Sequence, residues 1–451
     1  MTTGDEKIER DDAIERMVKL VRTGELPVFV RRASQIEAAD LADVLSALEE
    51  EERLAAVEAL PPEVSSRALA EMPEEAHPGE TLAALDPERA AEIVEELEDD
   101  DAADILGELP AADQERILQE VEDRADVDRL LRYDEETAGG RMTTHTVTVL
   151  ETDTVEQALN RIRHQAEEVA DFYQIFVVDH DRRLVGVLPF KDLIISRPDR
   201  VVGTFMADAD TTVSPTLDQE EVARLMARYN LPSVAVVDEQ GRLLGRVTFD
   251  DVIDVVEAET TEDLLKFGGV SPDEELAAGW NVAVRSRLPW LYVNLATAFL
   301  AGGVVYVFQG TVQRTVTLAV WMPVIAGMGG NAGTQALAVT VRRLALGLIP
   351  SHQFLKVVGK EVLVGMINGL AIGIVVGLLA ALIGEGSRLG LVVFLAMSGN
   401  LLVAGFAGAF IPIVLERLGV DPAIASSIFV TTFTDVCGFL LLLGLAGALI
   451  L

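Results

Sequence analysis

Five long apolar stretches fill the last part of the chain and constrain its fold more than any other feature. They cover about residues 288–308, 315–341, 357–383, 389–415 and 424–450. About 20 apolar residues are enough for a helix to cross a bilayer. In lipid the backbone polar groups must be satisfied within the segment itself. We therefore predict a five-helix, all-α transmembrane domain over residues 280–451.

Charge divides the chain near residue 280. Residues 280–451 carry nine basic and five acidic side chains, and subtracting them from the net charge of −37 leaves −41 for residues 1–279. Such an acidic part repels nucleic acid and anionic lipid and attracts cations. Only six of the 36 basic residues are Lys. An acidic, Lys-poor domain is also typical of a salty cytoplasm, which does not exclude cation sensing.

The basic residues of the apolar part predict its orientation. On one side of the predicted spans lie Arg285, Arg287, Arg342, Arg343, Lys356, Lys360 and Arg417. Only Arg314 and Arg388 lie on the other side, so the N-terminus is predicted to be cytoplasmic and the C-terminus outside. The polar start "MTTGDEKIERDD" is no secretory signal. We expect a multi-pass protein of the cell membrane, and five spans are few for a pore, which suggests a homodimer.

Residues 1–133 are predicted to form an acidic helical domain. Stretches such as "LAALDPERAAEIVEELEDDD" repeat short amphipathic patterns, each opened by Pro-Glu or Asp-Pro-Glu. Proline is well tolerated in the first turn of a helix. The pattern therefore indicates a superhelix of short helices.

The next predicted domain covers residues 134–256 and contains an internal duplication over 142–256. "VVDHDRRLVGVLPFKDLI" (177–194) matches "VVDEQGRLLGRVTFDDVI" (236–253) at a spacing of 59, each an apolar strand, a turn, a second strand and a helix. This α/β pattern resembles a tandem pair of cystathionine-β-synthase (CBS) domains. The resemblance implies that an adenine nucleotide such as ATP binds as a cofactor at the T-x-x-D motif of Thr248 and Asp251. Pro189 replaces that threonine in the first copy, and a CBS pair without nucleotide is an equally open interpretation.

One acid, Asp435, lies within the last apolar stretch, in "TTFTDVCG". A carboxylate at mid-membrane costs roughly 2.5–3.5 kcal/mol, and intramembrane acids usually mark ion pathways. With the hydroxyls of Thr431, Thr432 and Thr434 it suits a hydrated cation. The alternative is an aspartate that braces a neighbouring helix.

The second apolar stretch contains "PVIAGMGGNAGTQA" (323–336). Pro323 and four glycines weaken a helix, so we predict an interrupted span whose carbonyls line a cavity with Asn331, Thr334 and Gln335. Close helix packing through small residues is the alternative. Oxygen donors favour Mg²⁺ over Zn²⁺. The single Cys437 and the scattered histidines form no zinc motif.

Together these features resemble the MgtE family of magnesium channels and transporters. The match rests on the acidic helical domain, the CBS pair, an acidic connecting (plug) helix with its linker over 257–279, and the motifs "PVIAGMGGNAGTQ" and "DPAIASSIFVTTFTDVCG". The resemblance implies a homodimer with the pore at its interface, Asp435 from each subunit in the pore, and Asn331 near the ion path. It also implies that intracellular Mg²⁺ holds the cytoplasmic domains closed.

The resemblance further implies which carboxylates sense Mg²⁺. They are Asp100, Asp104, Asp218, Glu220, Asp251, Asp254, Glu259, Glu262 and Asp263. Asn230 stands where family members can carry an Asp. For each carboxylate, a solvated surface charge is the alternative.

The predicted function is therefore a Mg²⁺-selective channel that closes when intracellular Mg²⁺ is high. Two alternatives stay open, a proton-coupled divalent-cation transporter with Asp435 as the proton carrier, and a non-transporting membrane sensor built on the CBS pair. An enzyme is not expected, because the sequence shows no nucleophile–base pair and no phosphate-binding loop.

Overall fold

A computed structural model describes most of the chain. The described residues are 3–73, 76–122, 124–166, 169, 172, 174–209, 211–268, 270, 280–345, 348–349, 353–383, 386–420 and 422–451. The chain divides into two compact units, the N-terminal unit Met1–Glu257 and the C-terminal unit Ala258–Leu451. Each unit is described by itself.

The N-terminal unit begins with short helices, as the sequence predicts. They are α1 (Thr3–Arg22), α2 (Leu26–Ala33), α3 (Ala38–Ser46), α4 (Glu50–Ala59), α5 (Pro62–Ala70), α6 (Pro78–Ala84), α7 (Pro87–Val94), α8 (Asp99–Gly107), α9 (Ala111–Leu118) and α10 (Ala125–Leu130). Proline opens α5, α6 and α7. Asp86 caps α7 by accepting a hydrogen bond from the Glu88 amide at 3.2 Å.

These helices stack in two rows. In one row α1, α3, α5, α7 and α9 follow one another, and in the other α2, α4, α6 and α8 do. Because each short helix packs on the second helix after it, the chain winds into the predicted superhelix. Phe29, Leu45 and Leu69 are completely buried between the rows.

The CBS pair follows. Its elements are β1 (Thr148–Leu150), α11 (Val155–Gln165), β2 (Gln174–Val178), β3 (Leu184–Pro189), α12 (Phe190–Ile195), a 3₁₀ turn (Val202–Thr204), β4 (Ala207–Asp208), β5 (Thr212–Val213), α13 (Gln219–Tyr229), β6 (Ser233–Val237) and β7 (Leu243–Thr248). The first sheet has the order β1-β2-β3-β4, and the second has the order β5-β6-β7. In each sheet the first two strands are parallel and the next pair is antiparallel.

The duplication extends to strand register. Ile175 lies opposite Leu188, and Val234 opposite Val247, so both partners shift by 59 residues. Each hairpin also has an irregularity at equivalent positions, between Val177 and Val178 and between Val236 and Val237. The two copies are therefore structural repeats.

The second repeat shares a hydrophobic core with the helical domain. Met142, Val222 and Val247 belong to the same buried cluster as Leu106 and Leu130. The first repeat has a separate core, which includes Val149, Ile162 and Leu188. The second repeat and the acidic helices are thus packed as one body.

Helix α14 (Phe249–Phe267) follows β7, and the boundary between the units falls after its residue Glu257. The helices after it are α15 (Trp280–Val307), α16 (Gln309–Arg314), α17 (Leu318–Ala345), α18 (Phe354–Ile383), α19 (Ser387–Arg417) and α20 (Pro422–Leu449). Among the described residues, four helical segments are long and apolar enough to cross a membrane: α15, α18, α19 and Ser427–Leu449 of α20. Helix α17 is as long as α15 but is not among them.

The predicted interruption of the second apolar stretch is wrong, because α17 is one continuous helix across Pro323 and the glycines. Proline removes only one helix donor. Without water in a bilayer, an opened backbone has no partner to replace the helical hydrogen bonds. Gly329 and Gly333 instead permit close packing, which was the alternative interpretation of this stretch.

Candidate functional site

The two predicted membrane motifs lie against each other. A Cβ atom on Gly333 of α17 would be 2.6 Å from Val430 Cγ1 of α20, and one on Gly330 would be 4.0 Å from Thr431 Cγ2. A Cβ on Gly329 would lie 3.3 Å from Thr434 Cβ. The glycine face of α17 therefore lets the threonine-rich face of α20 approach closely.

Asp435 is half-buried on α20, one turn after Thr431. In the part of the chain that the structure describes, its carboxylate forms no hydrogen bond or ion pair. No contact among the described residues therefore supports the alternative in which Asp435 braces a neighbouring helix. Its carboxylate oxygens are available to a cation.

The other predicted pore residues differ in exposure. Asn331 and Gln335 are exposed on α17, and Thr334 is half-buried. Thr432 donates to the Ile428 carbonyl at 2.7 Å, which leaves its hydroxyl oxygen able to accept or to bind a cation. The structure brings Thr431 close to Gly330, the neighbour of Asn331.

Sequence reasoning missed Asn400, which is fully buried in α19. Its Nδ2 donates to the Ile325 carbonyl of α17 at 2.9 Å, and its Oδ1 has no partner among the described residues. Buried amides are usually fully hydrogen-bonded. A polar residue in a small-residue stretch, "MSGN", was the only available signal.

A second group of functional candidates lies in the N-terminal unit, where acids of α8 face the start of α14. Asp100 is buried, and its Oδ1 lacks a partner among the described residues. Burial and then the charge of Asp251 raise the pKa of Asp100 well above its usual range. Two of the predicted sensor carboxylates, from distant parts of the sequence, therefore repel each other.

Two further carboxyl groups of this cluster titrate near neutrality. Burial, then Asp251 and Glu98, raise the pKa of Asp101 to about 7. Burial raises the pKa of Asp251 to about 6, although hydrogen bonds from Thr248 oppose the shift. Without a cation, the cluster is unfavourable in its fully charged form.

The sequence analysis passed over Glu98, Asp99, Asp101 and Asp250, although the first three belong to the same run, "EDDDAAD". Asp99 is buried and accepts a hydrogen bond from Thr143 Oγ1 at 2.6 Å and from the Thr144 amide at 3.0 Å. The pKa of Glu98 is raised by burial. Asp99 therefore attaches α8 to the segment before β1.

Asp104 is already paired with a cation. Arg141 Nη1 donates to Asp104 Oδ2 at 2.6 Å, and Arg141 Nε donates to Gln219 Oε1 at 3.1 Å. Burial and then Asp250 raise the pKa of Asp254, whereas Arg141 lowers it. A guanidinium group thus lies among the predicted sensor acids.

Asp218 and Glu220 make contacts within the first turns of α13. Asp218 is exposed and caps the helix by accepting from the Glu220 amide at 2.9 Å. Glu220 lies 3.5 Å from Arg224. Asn230 ends α13 with a φ of 52°, a left-handed conformation that asparagine tolerates better than most residues. Helix termination therefore gives Asn230 a physical role.

The remaining predicted sensor acids belong to the C-terminal unit. Glu262 forms an ion pair with Lys266, and Glu259 is half-buried and has an interaction partner. The Asp263 side chain lies outside the described residues. Across the described ranges, no three Asp, Glu, His or Cys side chains converge as a ready metal-binding group.

The residues of the predicted nucleotide motif contact each other. The Thr248 amide donates to Asp251 Oδ2 at 3.2 Å, and the Thr248 hydroxyl donates to the same atom. Asp251 therefore belongs to both the nucleotide motif and the acidic cluster.

An acidic helical domain, a CBS pair and four or more long apolar helices are the features of a membrane protein with a large additional domain. Family profiles match in three places: "MgtE intracellular N domain" over 36–136, "CBS domain" over 138–198 and 202–258, and "Divalent cation transporter" over 322–445.

Individual relatives agree with these profiles. The magnesium transporter MgtE of Thermus thermophilus is 39% identical over 330 residues, covering 72% of this chain and 73% of its own. That of Enterococcus faecalis is 35% identical over 326 residues, 72% of each chain. The crystal structure of the soluble part of a magnesium transporter is 27% identical with a TM-score of 0.51, and covers 55% of this chain and 99% of that one. The chain belongs to the MgtE family of magnesium transporters. These relatives are named as transporters, not as enzymes.

Proposed function

We propose that this chain is a Mg²⁺-selective channel, a homodimer whose pore lies at the subunit interface and is lined by Asp435 of each subunit. The observation that carries the proposal is the contact between the glycine face of α17 and the Thr431–Thr434 face of α20. It brings the uncommitted Asp435 carboxylate onto the same helix pair as Asn331 and Thr334. The choice of Mg²⁺ as the transported ion is taken from the names of the relatives, which are magnesium transporters.

The donor chemistry fits a hydrated ion. Mg²⁺ gives up its water reluctantly and usually meets proteins through one or two carboxylates. Asp435 supplies charge, and Asn331, Thr334, Thr431 and Thr432 supply neutral oxygens to the water shell. Asn331 is exposed on its own chain, as expected for a residue facing a passage completed by a second subunit. The five-helix topology, with the N-terminus in the cytoplasm and the C-terminus outside, is part of this proposal.

Intracellular Mg²⁺ would close the channel by binding the acidic cluster. The charge of Asp251 helps to raise the pKa values of Asp100 and Asp101, so a divalent cation beside these carboxylates would relieve that repulsion. A ligand shifts a conformational equilibrium only by the difference between its affinities for the two states. A shift from 1:99 to 99:1 requires an affinity for the closed state about 10⁴-fold higher than for the open state. Several Mg²⁺ ions acting together would supply this factor.

The end of α14 offers a route from the sensor to the pore. Phe267 packs against a buried cluster formed by Leu337 and Val341 of α17 and Val430 of α20. Val430 directly precedes Thr431. A displacement of α14 would therefore reach both helices that carry the proposed pore residues.

Nucleotide binding at the second CBS repeat stays a prediction. Thr248 and Asp251 retain the T-x-x-D motif, and an adenine nucleotide such as ATP would compete with their mutual hydrogen bonds.

The test is Mg²⁺ flux into liposomes that contain the full-length protein, with Mg²⁺ on the cytoplasmic face varied from submillimolar to several millimolar levels. We expect flux down the Mg²⁺ gradient that needs no pH gradient and declines as cytoplasmic-face Mg²⁺ rises. Flux that requires a pH gradient would favour the proton-coupled transporter. Absence of flux from an assembled protein would favour the non-transporting sensor.

Asp435→Asn is the specific variant, because it removes the charge and keeps the size. We expect it to abolish flux while assembly is retained. Glu416→Gln removes an exposed carboxylate near the end of α19 and is the matched control. Full flux from Asp435→Asn would overturn the proposal.

A further inference from the structure

Asn400 lies where three helices of the C-terminal unit meet. Its side chain is completely buried in α19, and its Nδ2 donates to the Ile325 carbonyl of α17 at 2.9 Å. A Cβ atom on Gly329 of α17 would be 2.2 Å from this Nδ2, and one on Gly438 of α20 would be 3.0 Å from Asn400 Cγ. Both neighbouring helices therefore have a glycine at the point that Asn400 reaches.

The amide of Asn400 gains little net stability from its burial. Its Oδ1 has no hydrogen-bond partner among the described residues. An unpaired buried acceptor costs more than one hydrogen bond returns, and side-chain hydrogen bonds between membrane helices are weak on average. A leucine has the same branched shape and no unpaired acceptor. What distinguishes asparagine from leucine at this position is therefore the directional bond to the Ile325 carbonyl.

This bond is level with the proposed pore residues. A Cβ on Gly329 would also lie 3.3 Å from Thr434 Cβ of α20, and Thr434 directly precedes Asp435. Asn331 follows Gly329 by two residues and is exposed. A single buried asparagine can fix the register of packed helices, as it does in coiled coils. A shift of α17 against α20 at this level would change the distance between Asn331 and Asp435.

We propose that Asn400 is a positioning residue that fixes the register of α17 against α20 and thereby sets the ion selectivity of the passage. The inference rests on the proposed function and adds to it a residue that does not touch the ion. Mg²⁺ demands near-ideal octahedral geometry, whereas Ca²⁺ accepts variable coordination. A passage with fixed spacing between its oxygen donors therefore discriminates against Ca²⁺ more strongly than one with variable spacing.

The test is the ratio of Mg²⁺ flux to Ca²⁺ flux in liposomes that contain the full-length protein, with low Mg²⁺ on the cytoplasmic face. This ratio does not depend on the number of active molecules, so a partial loss of folded protein leaves it unchanged. Asn400→Leu keeps the branched shape and removes the hydrogen bond. Asn400→Ala/Gly329→Ala also removes the bond, and it places a methyl group in the space that the amide occupied.

In both variants we expect the Mg²⁺/Ca²⁺ flux ratio to fall about threefold or more, the factor that corresponds to the loss of one hydrogen bond between membrane helices. Ser398→Ala is the matched control. The Ser398 hydroxyl also donates from α19 to a carbonyl of another helix, that of Gly369 at 3.0 Å. Because that helix, α18, carries none of the proposed pore residues, Ser398→Ala should keep the parent ratio.

The outcomes separate this inference from the proposed function. A parent protein that passes no Mg²⁺, or passes Ca²⁺ equally well, contradicts the proposed function itself. If the parent is selective and an assembled Asn400 variant keeps its ratio, the positioning role is overturned. The role is also overturned if Ser398→Ala lowers the ratio equally, or if neither Asn400 variant assembles, because Asn400 would then serve the fold and not the register.

Discussion

Asn400 Nδ2 donates a 2.9 Å hydrogen bond to the carbonyl oxygen of Ile325 across the α17–α19 interface. The same nitrogen lies 2.2 Å from the position of a Cβ on Gly329 and 2.8 Å from that of a Cβ on Gly438. The Asn400 side chain therefore fills the space that two glycines leave open on α17 and α20. It joins three helices within one turn of Asp435.

Substitution of Gly329 tests this junction. Gly329→Ala would place a methyl group in the space of Asn400, and overpacking of this kind costs typically about 1–3 kcal/mol. Thermal unfolding of the detergent-solubilised protein should shift to lower temperature. Gly327→Ala is the control on the same helix, since nothing lies within 4 Å of its Cβ position. Equal stability of the two variants would refute the packing described for Asn400.

The raised pKa values predict how the N-terminal unit responds to pH. With Asp101 at about 7 and Asp251 at about 6, against an ordinary value of 3.8, the folded form binds more protons than the unfolded form between pH 4 and 7. In EDTA, stability should therefore fall as the pH rises through this range. One unit of pKa corresponds to about tenfold in an opening equilibrium.

Hydrogen–deuterium exchange of α8 peptides in the full-length protein, corrected for the intrinsic pH dependence, measures this effect. Asp101→Asn should flatten the profile and increase protection at neutral pH in EDTA. Glu58→Gln, an exposed acid on α4, should leave the profile unchanged. Protection that increases from pH 5.5 to 7.5 without divalent cations would contradict the assignment.

Phe267 should connect the sensor to the pore. Phe267→Ala removes the aromatic ring that packs against the cluster of Leu337, Val341 and Val430. Cytoplasmic-face Mg²⁺ should then inhibit flux less effectively, with a several-fold higher midpoint. The flux of this variant at low cytoplasmic-face Mg²⁺ should equal that of the parent protein. Leu264→Ala, 71% exposed on the same helix, is the control for loss of apolar volume. An unchanged midpoint in Phe267→Ala would exclude this route.

The T-x-x-D motif makes a prediction about nucleotide binding. Thr248→Val removes the hydroxyl that would contact the ribose, and ATP affinity measured by calorimetry should fall by roughly two- to tenfold, as expected for the loss of one neutral hydrogen bond. Thr216→Val, which alters an exposed hydroxyl in the loop before α13, should bind ATP normally. If neither variant changes the measured affinity, the motif is not a ribose contact.

Local patterns in the sequence were sufficient for much of the architecture. Proline at helix starts predicted α5 and α7, and the 59-residue duplication predicted two repeats whose registers agree residue by residue. The interruption of α17 was mispredicted because glycine and proline propensities were applied without the tertiary packing of Gly329 and Gly333 against neighbouring helices. These two glycines are packing contacts in the structure.

The sequence by itself determined which segments are helices, which are repeats, which are apolar, and which family they resemble, because these properties depend on periodicity and composition over short stretches. Only the tertiary structure decided which side chains meet. Asp99 and Thr143 are 44 residues apart, and Ile325 and Asn400 are 75 apart. Burial and the mutual repulsion of the α8 and α14 carboxylates arise only when distant segments pack together, since desolvation and Coulomb energy depend on distance in space.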